Sequence, residues 1–326
     1  MSDFPSRQLI AFRGWAVLTT LMTFILIVVG AATRVTDSGM ACPDWPGCYG
    51  MLIPFPAPEG GYISEGVTYT WWQVAFEWGH RLLAKIVGWL VLGLFVWSVL
   101  LRKQHSRLWK VALVALLTLV VQVMIGGLTV KMSNLHWTVA LHLGNAIFVL
   151  SAVSWLMMTA SRRPDSHGVE VNPRAKWSFF IMLGLIYVTM IMGAMVSSAH
   201  AGGVCGGLFS CDGNWMPKED FHQLLHMKHR YLALATFVWT IVLMVLCKRE
   251  DPQIRKSARL VHMFVLVQVV FGVTVLYSFT HYAGYYQVLS VAHLGWGMLV
   301  YTMALIGLAK MYLGSKELST KGLPWH

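Results

Sequence analysis

Eight long apolar runs alternate with short polar connections along the chain, near 14–33, 75–101, 111–130, 138–160, 177–198, 224–247, 260–279 and 288–313. At about 1.5 Å of rise per residue, a helix over each run can cross a hydrocarbon core of roughly 30 Å. The pattern predicts an all-α integral membrane protein with eight transmembrane helices. An even number of crossings leaves both termini on one side. The connections at 102–110, 161–176 and 248–259 fall on that same side, and they are the basic ones. Arg102, Lys103, Arg107 and Lys110 fill the first, Arg162, Arg163, Arg174 and Lys176 the second, and Lys248, Arg249, Arg255, Lys256 and Arg259 the third. Arg7 and Arg13 precede the first run, and Lys310, Lys316 and Lys321 close the last. Basic loops stay in the cytoplasm, so the termini are expected there and the other loops in the periplasm.

Composition agrees with that picture. The chain is 56% hydrophobic and 12% charged, about half the charged share of a soluble domain. A formal net charge of +11 would suggest nucleic acid as the partner of a soluble protein. Here the excess sits in the cytoplasmic loops, so the expected partner is membrane lipid and no nucleic acid. The segment before Gly14 has no cleavage site and is not an Arg/Ser-rich presequence. A multi-pass protein of a bacterial cytoplasmic (inner) membrane is expected, with its first helix retained.

The second half repeats the first. Gly30 leads to Cys42 and Cys48, and Gly193 leads, at one constant offset, to Cys205 and Cys211. Gln122 and Gly126 return as Gln268 and Gly272, His80 as His229, and Leu141-His142-Leu143-Gly144 as Ala292-His293-Leu294-Gly295. The expectation is two tandem pseudo-symmetric four-helix bundles, 1–160 and 161–326. With four crossings per unit, the repeats are parallel, related by an axis along the membrane normal.

Four of the five cysteines lie in the two long outer loops, as two Cys-x5-Cys pairs. An oxidising periplasm permits disulfides there, structural or redox-active. A zinc site is the competing reading, but neither loop offers two Cys plus two His at metal-like spacing. The fifth, Cys247, lies at the inner face.

Most of the 13 histidines need no function: His105 and His167 lie on the basic side, His136, His200, His222 and His281 in outer loops, and His326 at the terminus. His80, His142, His229 and His293 differ. They stand near the outer ends of helices two, four, six and eight, one pair per repeat, where an ionisable group is costly and faces a bundle interior or a cavity. Taken singly, each is as well explained by an interhelical hydrogen bond. Two imidazoles from facing helices suit haem iron, which takes one axial ligand from each side, whereas zinc or copper usually wants further donors close by. The simplest reading is one bis-histidine haem site per bundle. Arg81 and Arg230, each following its histidine, are candidates to pair with haem propionates, as is Lys131. Snorkelling to the interface is the plainer alternative for the two arginines.

The halves differ three residues before the first histidine of each pair, where Glu77 in one faces His226 in the other. A carboxylate one helical turn from a haem ligand can take a proton or stabilise developing positive charge. A salt bridge to Arg81, one turn on, is the structural alternative. The difference suggests divided labour, with the Glu77 half reacting and the His226 half carrying electrons.

Thr33-Arg34-Val35-Thr36-Asp37-Ser38-Gly39, then Cys42-Pro43-Asp44-Trp45-Pro46, then Glu77-Trp78-Gly79-His80-Arg81, followed by His142, His229 and His293, resembles the haem A synthase family over nearly the whole chain. The resemblance implies eight transmembrane helices in two bundles and oxidation of a methyl group of haem O to a formyl group, giving haem A for terminal oxidases. It implies further that His80 and His142 flank the substrate haem, that His229 and His293 ligate a haem b cofactor, that Glu77 is catalytic, and that Cys42 and Cys48 form a loop disulfide. The second loop departs from the first, with Ser197 in place of Arg34 and Gly206-Gly207 in place of Pro43-Asp44. Partners implied are the enzyme that supplies haem O and an electron acceptor of unknown identity; self-association into a homo-oligomer is compatible with the pattern. Spacing alone reaches only a double bis-histidine haem protein, so a transmembrane electron-transfer cytochrome is the alternative. A transporter fits the parallel repeats, but no mid-membrane helix break supports it.

Overall fold

In the computed structural model, residues 7–161 and 171–313 are described. Arg162, Arg163, His167, Lys316, Lys321 and His326 lie outside them. The eight expected crossings are α1 Arg7–Val35, α2 Trp71–Leu100, α3 Ser106–Lys131, α4 His136–Ala160, α5 Pro173–Ser198, α6 Phe221–Leu246, α7 Pro252–His281 and α8 Tyr286–Leu313. All eight are long and apolar enough to span a bilayer. Most run several residues beyond the apolar stretches at one or both ends. Polar and aromatic residues at the membrane boundary continue the helix until a cap stops it, so the interfacial turns carry no apolar mark. Asn172 accepts from the Arg174 amide ahead of Pro173, Asp251 from Gln253 ahead of Pro252, and Asp220 from His222 and Gln223. These are N-caps that a hydropathy pattern does not weigh.

Each half closes a ring of four helices: α1 packs on α2 and α4 and α3 on both, and α5, α6, α7 and α8 repeat that arrangement. The two rings meet through α1, α4, α5 and α8. Among the eight, α4 and α8 are the most buried, while α3 and α7 are largely uncovered. The main core lies at this junction, with Ile147, Leu150 and Val153 of α4 against Phe179, Met182 and Ile186 of α5 and Met298, Tyr301 and Leu305 of α8. A polar link crosses it where the Ser151 hydroxyl meets Tyr301 Oη at 3.1 Å. Hydroxyls inside the helices turn back to their own backbone, as Thr20 does to Ala16 O and Thr23 to Thr19 O. That satisfies them where no water is available.

The long loops stand at one end of the bundles. The first contains a hairpin the sequence pattern did not announce, β1 Tyr62–Ser64 paired antiparallel with β2 Val67–Tyr69. Its turn falls on Glu65 and Gly66, both at positive φ, as a tight two-residue hairpin requires. Both cysteine pairs are disulfides, Cys42 with Cys48 and Cys205 with Cys211. Among the described residues no three His, Cys, Asp or Glu side chains converge as a metal cluster. The zinc reading of these loops therefore has no donor set.

Candidate functional site

The four histidines occupy equivalent places in the helix pairs. Each imidazole lies against a glycine of the preceding helix. A β-carbon would stand 2.8 Å from His80 Cε1 if built on Gly30, 3.1 Å from His142 Cε1 on Gly126, 3.0 Å from His229 Cε1 on Gly193 and 3.3 Å from His293 Cε1 on Gly272. Such spacings leave little or no room for any other residue, so the glycine is what admits the ring. Sequence reading used these glycines only as repeat markers. The signal available there is that each glycine, like its histidine, recurs in the other half.

In the second half the pair is assembled. His229 and His293 face each other with ring centroids 6.4 Å apart and ring planes at 77°. A metal held between two imidazole nitrogens at about 2 Å from each puts the ring centroids roughly 6 Å apart, so the pair fits a bis-histidine haem iron. His229 Nδ1 lies 3.1 Å from Thr189 O. A backbone carbonyl can only accept, so this contact fixes the proton on Nδ1 and leaves the Nε2 lone pair free. His80 and His142, half-buried like the second pair, hold the equivalent places in the first half. His80 lies beside the Leu26 backbone, the place that Thr189 holds beside His229.

One glutamine per half covers the second ring of each pair. Gln122 Nε2 is 3.2 Å from both ring nitrogens of His142 and donates to His142 O at 3.1 Å. Gln268 Nε2 stands 3.3 and 3.4 Å from those of His293 and donates to His293 O at 3.0 Å. Equal distances to both nitrogens put the amide over the ring face, in line with neither lone pair. The glutamine therefore holds the ring's orientation without occupying either nitrogen lone pair. The support behind the two glutamines differs. Asn145 Nδ2 bonds both Thr118 O, at 2.9 Å, and Gln122 Oε1, at 2.8 Å. The equivalent residue Trp296 donates to Phe264 O and stacks on Phe264, and Gln268 Oε1 is buried without a partner.

Glu77 is 3% exposed. Its Oε1 meets Arg81 Nη2 at 2.5 Å, and its Oε2 accepts from the Cys42 amide at 2.8 Å. The salt bridge weighed from the sequence is thus present, and the same carboxylate ties α2 to the disulfide loop. Arg81 also donates to the carbonyls of Asp44 and Gly47. Arg230 does likewise in the second half, toward Gly207 O at 2.5 Å and Cys205 O at 3.2 Å. Both arginines therefore have partners inside the protein and clamp a disulfide loop over the end of a helix. His226, at the position of Glu77, pins its own loop through Nδ1 and Ala201 O at 2.8 Å. Trp45 of the first loop reaches over Gly127, next to the glycine under His142. Lys131 lies exposed at the end of α3.

A further intramembrane histidine, His262 on α7, makes a single interhelical contact with Thr240 Oγ1 at 2.7 Å and packs beside Phe237. Among the described residues no histidine faces it, and the first half has no counterpart.

Residues 13–305 match the family model COX15-CtaA, described as cytochrome oxidase assembly protein. The chain is similar to a protein of Rhodopseudomonas palustris (strain TIE-1) named "Heme A synthase", with 27% identity covering 92% of this chain and 89% of the relative. Proteins of the same name match from Bradyrhizobium sp. (strain ORS 278), at 27% over 93% of this chain and 91% of that one, and from Bacillus licheniformis, at 27% over 82% and 87%.

Proposed function

From the premise that the chain belongs to the COX15-CtaA family of cytochrome oxidase assembly proteins, we propose that it works as a haem A synthase, oxidising a methyl group of haem O to a formyl group. The observation that carries this reading is the pairing of two equivalent histidine sites with one altered neighbour, Glu77 in the first and His226 in the second. Relatives named for haem A synthesis support it at the level of the family.

In this reading the first bundle, 1–160, holds haem O between His80 and His142, and the second, 161–326, holds haem b between His229 and His293. Haem b, when bound, supplies a one-electron carrier between the first site and an acceptor outside the chain. Each of two rounds removes two electrons and two protons from the methyl carbon and adds the oxygen of one water. The first yields a hydroxymethyl group, and the second an aldehyde hydrate that loses water to become the formyl group. Glu77, one turn from His80 and held by Arg81 and the Cys42 amide, stabilises positive charge on the carbon under attack and receives a proton. Gln122 and Gly126 keep the His142 ring in register, and the first disulfide loop limits water at the site. The bundles sit in a bacterial inner membrane with the disulfide loops periplasmic and both termini cytoplasmic.

The electron-transfer alternative gives both haems the same permanence and assigns Glu77 no substrate. Expression in a host that makes haem O but no haem A separates the two. Haem A or its hydroxymethyl precursor in extracted membranes, identified by mass, is the expected result; haem b and unmodified haem O alone, with folded protein and a competent acceptor present, would overturn it.

A further inference from the structure

Arg34, at the end of α1, is left over by the assignment above. Its Nη1 meets Asp37 Oδ1 at 3.0 Å, and its Nη2 donates to Ser198 O of α5 at 2.8 Å and lies 3.3 Å from His200 Nε2. Its Nε is buried and has no partner, on a side chain only 17% exposed. An unpartnered guanidinium N–H removed from water is costly, and a native structure rarely keeps one without a ligand in view.

Arg34 is one turn beyond Gly30, the residue against the His80 ring, so it stands at the same end of the α1–α2 pair as that ring. The orphaned Arg34 Nε belongs to that end of the helix pair. Of the three cations expected from the sequence to receive propionates, Arg81 and Arg230 are already committed to loop carbonyls and, for Arg81, to Glu77, and Lys131 is exposed at the end of α3. At the position of Arg34 the second half has Ser197.

We infer that Arg34 is the carboxylate anchor of the first site, donating Nε–H to a propionate of the porphyrin held by His80 and His142. The inference rests on the reading of that site as the substrate site, and it makes the anchor specific to the substrate. Asp37 neutralises part of the charge of Arg34 and would repel a second carboxylate. The contact is therefore one directed, charge-assisted hydrogen bond rather than a general attraction. Ser198 O at the end of α5 and His200 just beyond it hold the guanidinium in place, so the anchor is set by both halves of the molecule.

The test uses the full chain in lipid nanodiscs with the second site loaded. Iron protoporphyrin IX and its dimethyl ester are titrated separately, with binding followed in the Soret band. Differences intrinsic to the two porphyrins cancel when the acid-to-ester affinity ratio is compared between proteins. Arg34→Gln should lower that ratio by about tenfold while leaving ester affinity at the wild-type value, and Arg34→Lys should fall between. An unchanged ratio in Arg34→Gln, or in Arg34→Met should the glutamine variant not fold, overturns the anchor while leaving the haem site standing. His80→Ala titrating like wild type would instead show that no porphyrin binds there, which overturns the site and the anchor with it.

Discussion

Gly193 and His229 approach so closely that a β-carbon on the glycine would stand 3.0 Å from the imidazole. In an ordinary helix interior, alanine is favoured over glycine by about 0.8–1.0 kcal/mol. Gly193→Ala should therefore leave the helix intact yet push the His229 ring from its place, with loss of haem from the second site. Gly184, on the same helix, has nothing within 4 Å of an added β-carbon, so Gly184→Ala should keep its haem. The haem-to-protein ratio of the two purified variants checks both.

His229→Ala and His293→Ala each remove one of the two facing rings and leave a bis-histidine site with a single protein ligand for the iron. Either variant should lose the stably bound haem, whereas His262→Ala, which breaks only the contact with Thr240, should retain it. An unchanged spectrum in His229→Ala would contradict the assignment of the second site.

Glu77 and Arg81 form a buried pair, with side chains 5% and 10% exposed. Arg81→Ala strands the carboxylate and frees the loop carbonyls, at a cost of about 3–5 kcal/mol. It should lower the thermal midpoint and expose the loop to protease. Glu77→Gln keeps the shape and can still accept from the Cys42 amide, so the variant should bind haem and stall before product. Product formation at the wild-type rate would make Glu77 a structural residue.

The cysteines offer a chemical count. Cys247 is buried at the end of α6, so its thiol is shielded from reagents. With the other four in disulfides, the native protein should take up maleimide negligibly, and reductant should expose the loop thiols while Cys247 stays protected. Cys42→Ser should weaken the first loop by about 2 kcal/mol for so short a ring and leave the second-site haem in place.

Much of this architecture was legible because a membrane imposes a simple pattern: apolar runs marked all eight helices, and repeated His, Gly and Gln positions marked the two bundles. The helix ends were not, since caps such as Asn172 and Asp251 act where hydropathy is silent. Partners of the site residues were less legible still. The order His80-Arg81 put a cation beside a candidate ligand, but which way it points depends on the loop carbonyls of Asp44 and Gly47, brought in by a disulfide more than thirty residues upstream. Gln122 and Asn145 carried a repeat signal in one case and none in the other, and their contact with each other is visible only once α3 and α4 are side by side.

The central claim is that two similar histidine sites have unequal tenants, one converted and one retained. Feeding isotope-labelled haem O to membranes already loaded with unlabelled haem, then purifying the chain and separating its haems by mass, tests it most directly. Label should pass into haem A while haem b on the protein stays unlabelled, and Glu77→Gln should hold the label as haem O. Label entering both sites equally, or remaining as haem O in the wild-type protein with an electron acceptor supplied, would contradict it.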